Sequence, residues 1–165
     1  MATSSGTATV TLPTDKQILI TREFDAPSAL VYKAWTTPEL VKRWWHAKRG
    51  EVTVAEIDLR PGGRWRHVMV AEDGSEVGFH GEYREVVPNE RIVSTELFEG
   101  ADASGYPGDA TLNTVTFAED DGRTTLTILI DAPSKEIRDA IIESGMEEGL
   151  QDALDLLEEI AISLR

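Results

Sequence analysis

The chain has 165 residues, 30 of them acidic and 16 basic, for a formal charge of -14. A surface that acidic repels phosphate backbones and anionic bilayers, so neither nucleic acid nor membrane is an expected partner. Cysteine is absent, which removes disulfides, thiolate metal sites and a cysteine nucleophile. The 41% apolar content, with no run near the ~20 residues of a membrane span, describes a globular domain.

Residues 1–16 are small and polar and read as a flexible N-terminal tail ahead of one domain at 17–165. They lack the basic and apolar stretches of a signal peptide, so the expected location is cytoplasmic. From Gln17 to Phe24 apolar and polar residues alternate, which predicts a strand. Pro27 then suits the first turn of a helix, with Asp25 or Ala26 at its cap and Val31, Ala34 and Trp35 on its buried side. Thr37-Pro38-Glu39 opens a second short helix with Leu40, Val41 and Trp44 inward. Arg22 and Glu23 read as solvated, as do Glu147 and Glu148.

Six strand-like runs follow, at 51–59, 64–71, 76–87, 91–98, 111–118 and 124–131. Turn chemistry separates them: Pro61-Gly62-Gly63, Asp73-Gly74, Pro88-Asn89 and Asp120-Asp121-Gly122. Residues 99–110, rich in glycine and poor in large apolar groups, read as a longer mobile loop. Glu85 and Arg91 can pair across the Pro88 turn. Ser134 caps a final helix running to about Leu164, whose inward stripe is Ile137, Ile141, Met146, Leu150, Ala153, Leu157, Ile160 and Leu164. A bend or a break is expected beside Gly145, where the stripe slips by one residue.

Particular stretches carry a family resemblance. They are Phe24-Asp-Ala-Pro, Val31-Tyr-Lys-Ala-Trp-Thr-Thr-Pro-Glu-Leu, Trp44-Trp45, Pro61-Gly-Gly-Arg-Trp, Gly81-Glu-Tyr-Arg-Glu-Val-Val-Pro-Asn-Glu-Arg-Ile-Val and Gly145-Met146. In this order the chain resembles the START-like (SRPBCC) superfamily. Within it the chain is similar to the AHSA-type branch, named for the C-terminal domain of the activator of the heat-shock chaperone ATPase. The resemblance implies an α+β helix-grip fold. In such a fold a curved antiparallel sheet of about seven strands, two short helices and a long C-terminal helix enclose a cavity. Where the family has Pro-Pro, this chain has Pro88-Asn89. The superfold hosts carriers, cyclases, hydrolases and chaperone co-factors, so the fold alone does not assign a function.

If Asp73-Gly74 closes a two-residue hairpin, His67 faces His80, Trp65 faces Glu82 and Met69 faces Gly78 on one side of the sheet. That register sends Trp65, His67, Met69, His80 and Glu82 into the cavity, as apolar walls with a few convergent polar groups. A three-residue loop would separate the histidines. In the competing arrangement Val68, Val70, Val77, Phe79 and Tyr83 point inward. Trp44, at the cavity mouth, and Met146, Gly149 and Leu150 on the helix complete the candidate ligand-binding set.

The expected function is binding of an apolar or amphipathic small molecule. A cyclase or hydrolase using His67, His80 or Glu82 is the alternative, and a chaperone co-factor ranks last. His67, His80 and Glu82 or His46 are the only prospective metal ligands, and no metal is expected. Nucleophile-elbow, phosphate-loop and dinucleotide motifs are absent, so no cofactor is expected either. A homodimer through a sheet edge is compatible with the fold.

Overall fold

Along Gln17–Phe24 the alternation is carried through without a slip. Ile18, Ile20, Arg22 and Phe24 are all buried, and the residues between them face outward. In this computed structural model, which describes residues 7–99 and 110–165, β2 (Gln17–Phe24) is followed by α1 (Ser28–Thr36) and α2 (Pro38–Val41). Next come β3 (Gly50–Ile57), β4 (Arg64–Ala71), β5 (Glu76–Val87), β6 (Arg91–Glu99), β7 (Thr111–Asp120) and β8 (Arg123–Asp131). The chain closes with α3 (Lys135–Glu143) and α4 (Met146–Ser163). A further strand, β1 (Thr9–Thr11), pairs with β2. The sheet is antiparallel throughout, with strand order β1-β2-β8-β7-β6-β5-β4-β3.

This is an α+β fold with a curved antiparallel sheet, short helices and a C-terminal helix, the helix-grip arrangement. The sheet has eight strands rather than about seven. The extra one lies within residues expected to form a loose tail. Three residues are too short to show periodicity, and β1 is held by tertiary contacts instead. Val10 packs against the core, and the Ala8 N–H donates to Gln151 Oε1 of α4 at 2.8 Å. The expected loop at 99–110 falls, apart from its ends, outside the described residues.

Curvature follows from which atoms meet α4. The Ala8 amide, beside edge strand β1, bonds Gln151. Arg49, at the start of the opposite edge strand β3, pairs with Asp152 at 2.9 Å. Both edges of one sheet therefore reach adjacent residues of one helix, which a flat sheet of eight strands spaced about 4.8 Å apart could not do.

The last helix is broken at Gly145, one of the two outcomes expected there. Gly145 takes a left-handed conformation, φ 85°, which a residue with a Cβ adopts only under strain. It separates α3 from α4, so α4 spans about 27 Å. Ser134 Oγ accepts from the Ile137 N–H at 3.2 Å and caps α3. At α1 the position before the helix is Pro27, with no side-chain cap of its own, and neither Asp25 nor Ala26 serves. Glu119 on β7 accepts from the Ser28 N–H at 2.7 Å instead.

Leu154, Leu157, Ala161 and Ala153 of α4 pack with Ile18, Ile20, Phe24, Leu126 and Val31 in one core. Arg22 corrects the expectation that it is solvated. It is only 2% exposed and reaches Asp155 at 2.7 Å and Glu158 at 2.8 Å on α4. Its guanidinium also lies 5.0 Å from the Phe24 ring centre. Strand alternation forces it inward beside Ile20 and Phe24, and two carboxylates on the helix make that placement tolerable. Arg91 and Glu85 do pair, at 3.0 Å. Among the described residues no helix is long and apolar enough to cross a membrane.

Candidate functional site

The β4–β5 turn determines which side chains meet on the concave face. Gly74 is left-handed, φ 88°, and the Ala71 N–H donates to the Ser75 carbonyl at 2.8 Å. The loop is therefore the three residues Glu72, Asp73 and Gly74. Strand pairing runs Trp65 with Gly81, His67 with Phe79 and Met69 with Val77, while Arg66 faces His80 and Arg64 faces Glu82.

This overturns the two-residue register. A one-residue slip moves every side chain of one strand to the other face, so His80 and Glu82 leave the face that holds Trp65, His67 and Met69. The concave face combines three of the five residues of each expected set: Trp65, His67 and Met69 from β4, with Val77, Phe79 and Tyr83 from β5. His67, His80 and Glu82 do not converge, and an acid–base trio or metal site built on all three has no geometric basis. Among the described residues no group of three metal-ligating side chains forms.

His80 belongs to the convex side. Its Nδ1 lies 2.5 Å from Glu99 Oε2, and Arg66 binds the same carboxylate through Nη2 and Nε. The Arg66 hydrogen bonds, and after them that of His80, hold the Glu99 carboxyl below its usual range. These residues border a groove of about 400 Å3 with Glu56 and Arg64. A second groove, of about 670 Å3, lies at the β3–β4 end beside His46, Lys48 and Glu72. Neither is lined by a residue of α4.

The concave side is built around His67. Its ring centre lies 5.0 Å from that of Trp65 and 5.5 Å from that of Trp45. Trp45 also meets Phe79 edge-on at 5.8 Å, and Phe79 meets Phe98 at 5.2 Å. His67 is 8% exposed, and its Nδ1 is buried without a hydrogen-bond partner. Burial lowers its pKa to about 4, so the ring is neutral at pH 7. Such an unpaired buried polar atom costs about 1–3 kcal/mol, a cost that a bound group able to pair with it would recover.

Gly81 makes room for this cluster. A Cβ there would lie 1.8 Å from the Thr95 carbonyl oxygen and 2.8 Å from the Trp65 indole nitrogen. With only hydrogen in that place, the Trp65 indole lies across β5 and donates to the Thr95 carbonyl of β6 at 3.1 Å.

The neighbouring polar groups come from β6 and β7. Glu96 pairs with Thr111 and Ser94 with Asn113. The Thr111 hydroxyl donates to Asn113 Oδ1 at 2.9 Å, which leaves the Asn113 amide nitrogen to donate to Glu96. Burial nevertheless pushes the Glu96 carboxyl up to about 7, the Asn113 hydrogen bond opposing it. Deeper in, Tyr32 and Tyr83 are both buried, and burial raises both phenols. The Tyr32 hydroxyl has no hydrogen-bond partner.

Of the sequence-derived set, Trp65, His67 and Met69 share the concave face, and Met146 and Leu150 pack against the core from α4. At Gly149 an added Cβ would meet nothing within 4 Å. Trp44 is a core residue, 5% exposed, with its indole donating to the Ala34 carbonyl at 2.9 Å and its ring 5.1 Å from Trp35. Its neighbour Trp45 is the partly buried one that meets the cluster. Sequence reasoning passed over Phe98, Glu96 and Asn113. An acidic residue on the same side of β6 as Phe98, in Thr95-Glu96-Leu97-Phe98, is the signal that was available.

The model of the family described as "Activator of Hsp90 ATPase homolog 1-like protein" matches residues 25–161. No curated protein matches the chain. Among solved structures it is similar to a protein from Rhodobacter sphaeroides, with TM-score 0.84 and 23% identity over 96% of this chain and 99% of that one. Protein Ms6760 from Mycobacterium smegmatis gives 0.81 at 26% identity, covering 92% and 95%. Protein CV1439 from Chromobacterium violaceum gives 0.76 at 29%, covering 90% and 98%.

Proposed function

The chain belongs to the family of Activator of Hsp90 ATPase homolog 1-like proteins, and within it we propose that this protein binds an apolar or amphipathic small molecule against the aromatic part of its concave face. The observation that carries the reading is the ring of Trp45, Trp65 and Phe79 around a buried His67 whose Nδ1 has no partner. Covering apolar area yields about 25 cal/mol per Å2, and aromatic walls add stacking contacts. His67 Nδ1 supplies an orienting hydrogen bond, which is how a mostly apolar site fixes one pose. The role is binding without bond cleavage, in a cytoplasmic protein with no cofactor.

The name of the family points to a chaperone ATPase, which would require a protein-binding surface instead. Nothing in the aromatic cluster favours that reading for this chain, and a heat-shock chaperone is not the expected partner.

The test is native mass spectrometry of the purified protein, then tryptophan fluorescence titration with neutral aromatic and lipid probes. A co-purified apolar compound, or probe binding that weakens about tenfold or more in Trp45→Ala, is the expected result. A wild-type protein that carries nothing, responds to no probe and captures a chaperone would overturn it.

A further inference from the structure

Cross-strand pairing defines the surroundings of Glu96. Ile57, Trp65 and Gly81 stand in one row across β3, β4 and β5. The pairs His80–Leu97 and Tyr83–Ser94 bracket Gly81 and Glu96, which puts those two opposite each other. Glu96 in turn faces Thr111 of β7. Because Gly81 has no side chain, the Trp65 indole extends over it to the backbone of Thr95, the residue next to Glu96. The adjoining row is His67, Phe79 and Phe98. A carboxyl group thus shares one face with aromatic rings, and Phe98 is 46% exposed at its outer end.

We propose that this site takes an organic cation, an amine or quaternary ammonium on an apolar or aromatic body, with Trp65, Phe79 and Phe98 facing the charge and Glu96 as its counter-ion. The proposal rests on the small-molecule reading above and specifies its ligand. Aromatic faces attract cations through the ring quadrupole, most strongly when water is excluded.

The charge inventory agrees. Among the described residues no cation pairs with Glu96, and the groups that share its face of the sheet are Trp65 and His67 from β4, Phe79 and Tyr83 from β5, Ser94 from β6, and Thr111 and Asn113 from β7. Of these, His67 is neutral at pH 7 through burial, and burial keeps the Tyr83 phenol protonated. Trp45 comes from the segment after α2 and Tyr32 from α1. From α4, Glu147 and Glu148 are exposed and Asp152 is paired with Arg49. The buried arginines are engaged elsewhere, Arg22 with Asp155 and Glu158 and Arg138 with Asp139. An anionic ligand such as a fatty acid finds no free countercharge here. Glu96, with its pKa near 7, is ionised above neutrality and protonated in mild acid.

Three probes of similar size separate the possibilities by calorimetry: benzyltrimethylammonium, benzyl alcohol and 3-phenylpropanoate. At pH 8 the cation is expected to bind about tenfold or more tighter than the alcohol, and the anion weakest. At pH 5.5 the preference for the cation shrinks toward parity. Glu96→Gln loses the cation preference at both pH values, the cation and the alcohol then binding alike. Circular dichroism and the melting temperature establish that the variant is folded. Equal binding of cation and alcohol, tightest binding of the anion, or a preference that survives Glu96→Gln overturns the proposal while small-molecule binding stands. A wild-type protein that binds none of the three overturns both.

Discussion

The concave face has two parts built on opposite rules. Under α4 and α1, strands β2, β7 and β8 present Ile18, Ile20, Phe24, Val115, Phe117, Leu126 and Ile128, all buried against Val31, Leu154 and Leu157. The one charge there, Arg22, is met by two carboxylates. Across β4, β5 and β6 the same face carries Trp65, His67, Phe79, Glu96 and Phe98, with two titratable groups displaced in opposite directions. The first part is closely packed, pairs its buried guanidinium with carboxylates and stores stability. The second leaves His67 Nδ1 without a partner and aromatic surface uncovered, as a binding surface does.

The adjacent tryptophans give the widest separation between the two parts. Trp44→Ala removes a buried ring and its hydrogen bond to Ala34, at an expected cost of about 3–5 kcal/mol. Trp45→Ala, at a partly buried position, is expected to cost about 1 kcal/mol while it weakens ligand binding. Chemical denaturation of both variants checks this, and equal losses would erase the distinction between core and site.

Next in size is Arg22→Ala, which removes the buried cation that Asp155 and Glu158 share. A loss of about 3 kcal/mol is expected, seen as a melting temperature lower by roughly 6–12 °C. Arg22→Met, which also fills the volume, is expected to recover part of that loss.

The third contrast lies within the site and depends on pH. His67 is harder to protonate when folded, so its contribution is lost as pH falls from its ordinary 6.5 to about 4. That interval corresponds to about 3 kcal/mol. Glu96 is harder to ionise when folded, so its contribution is lost as pH rises from its ordinary 4.5 to about 7. The two slopes oppose each other between 4.5 and 6.5 in the wild type. His67→Phe is expected to leave stability falling as pH rises through that window, and Glu96→Gln to leave it rising. Melting temperatures at half-unit pH steps are the measurement, and parallel profiles in the two variants would rule out opposed titrations.

The smallest effect is at Gly149, inside α4, where an added methyl meets nothing. Gly149→Ala is expected to stabilise by about 0.5–1 kcal/mol through helix propensity. The melting temperature reads it directly.

Local chemistry made most of the elements legible. Six of the strands from β3 onward lie within two residues or so of where alternation and turn residues put them, because period-two patterning and Gly/Pro turns act over a few neighbours. Ser134 as a cap and Gly145 as an interruption were readable for the same reason. The Phe24-Asp-Ala-Pro and Trp44-Trp45 stretches carried the family. What sequence patterning left open was decided by long-range contacts. β1 exists through pairing with β2 and through Gln151. Arg22 is buried because two carboxylates more than a hundred residues away receive it. The first turn of α1 is capped by Glu119 from β7.

The candidate site shows the limit most sharply. The residues Trp65, His67, Phe79, His80 and Glu82 were all visible as candidates, but their grouping depended on whether the Asp73-Gly74 turn holds two residues or three. Both loops suit an Asp-Gly pair. The choice is made by Ala71 bonding Ser75 and by the pairing of β4 with β5 along their whole length. The sequence by itself determined the strand–helix order and the stock of aromatic and titratable groups, since these follow from local periodicity and composition. Only the tertiary structure decided that His67 and Glu96 share a face and that His80 and Glu82 do not, because in a sheet one residue of register reverses every side chain.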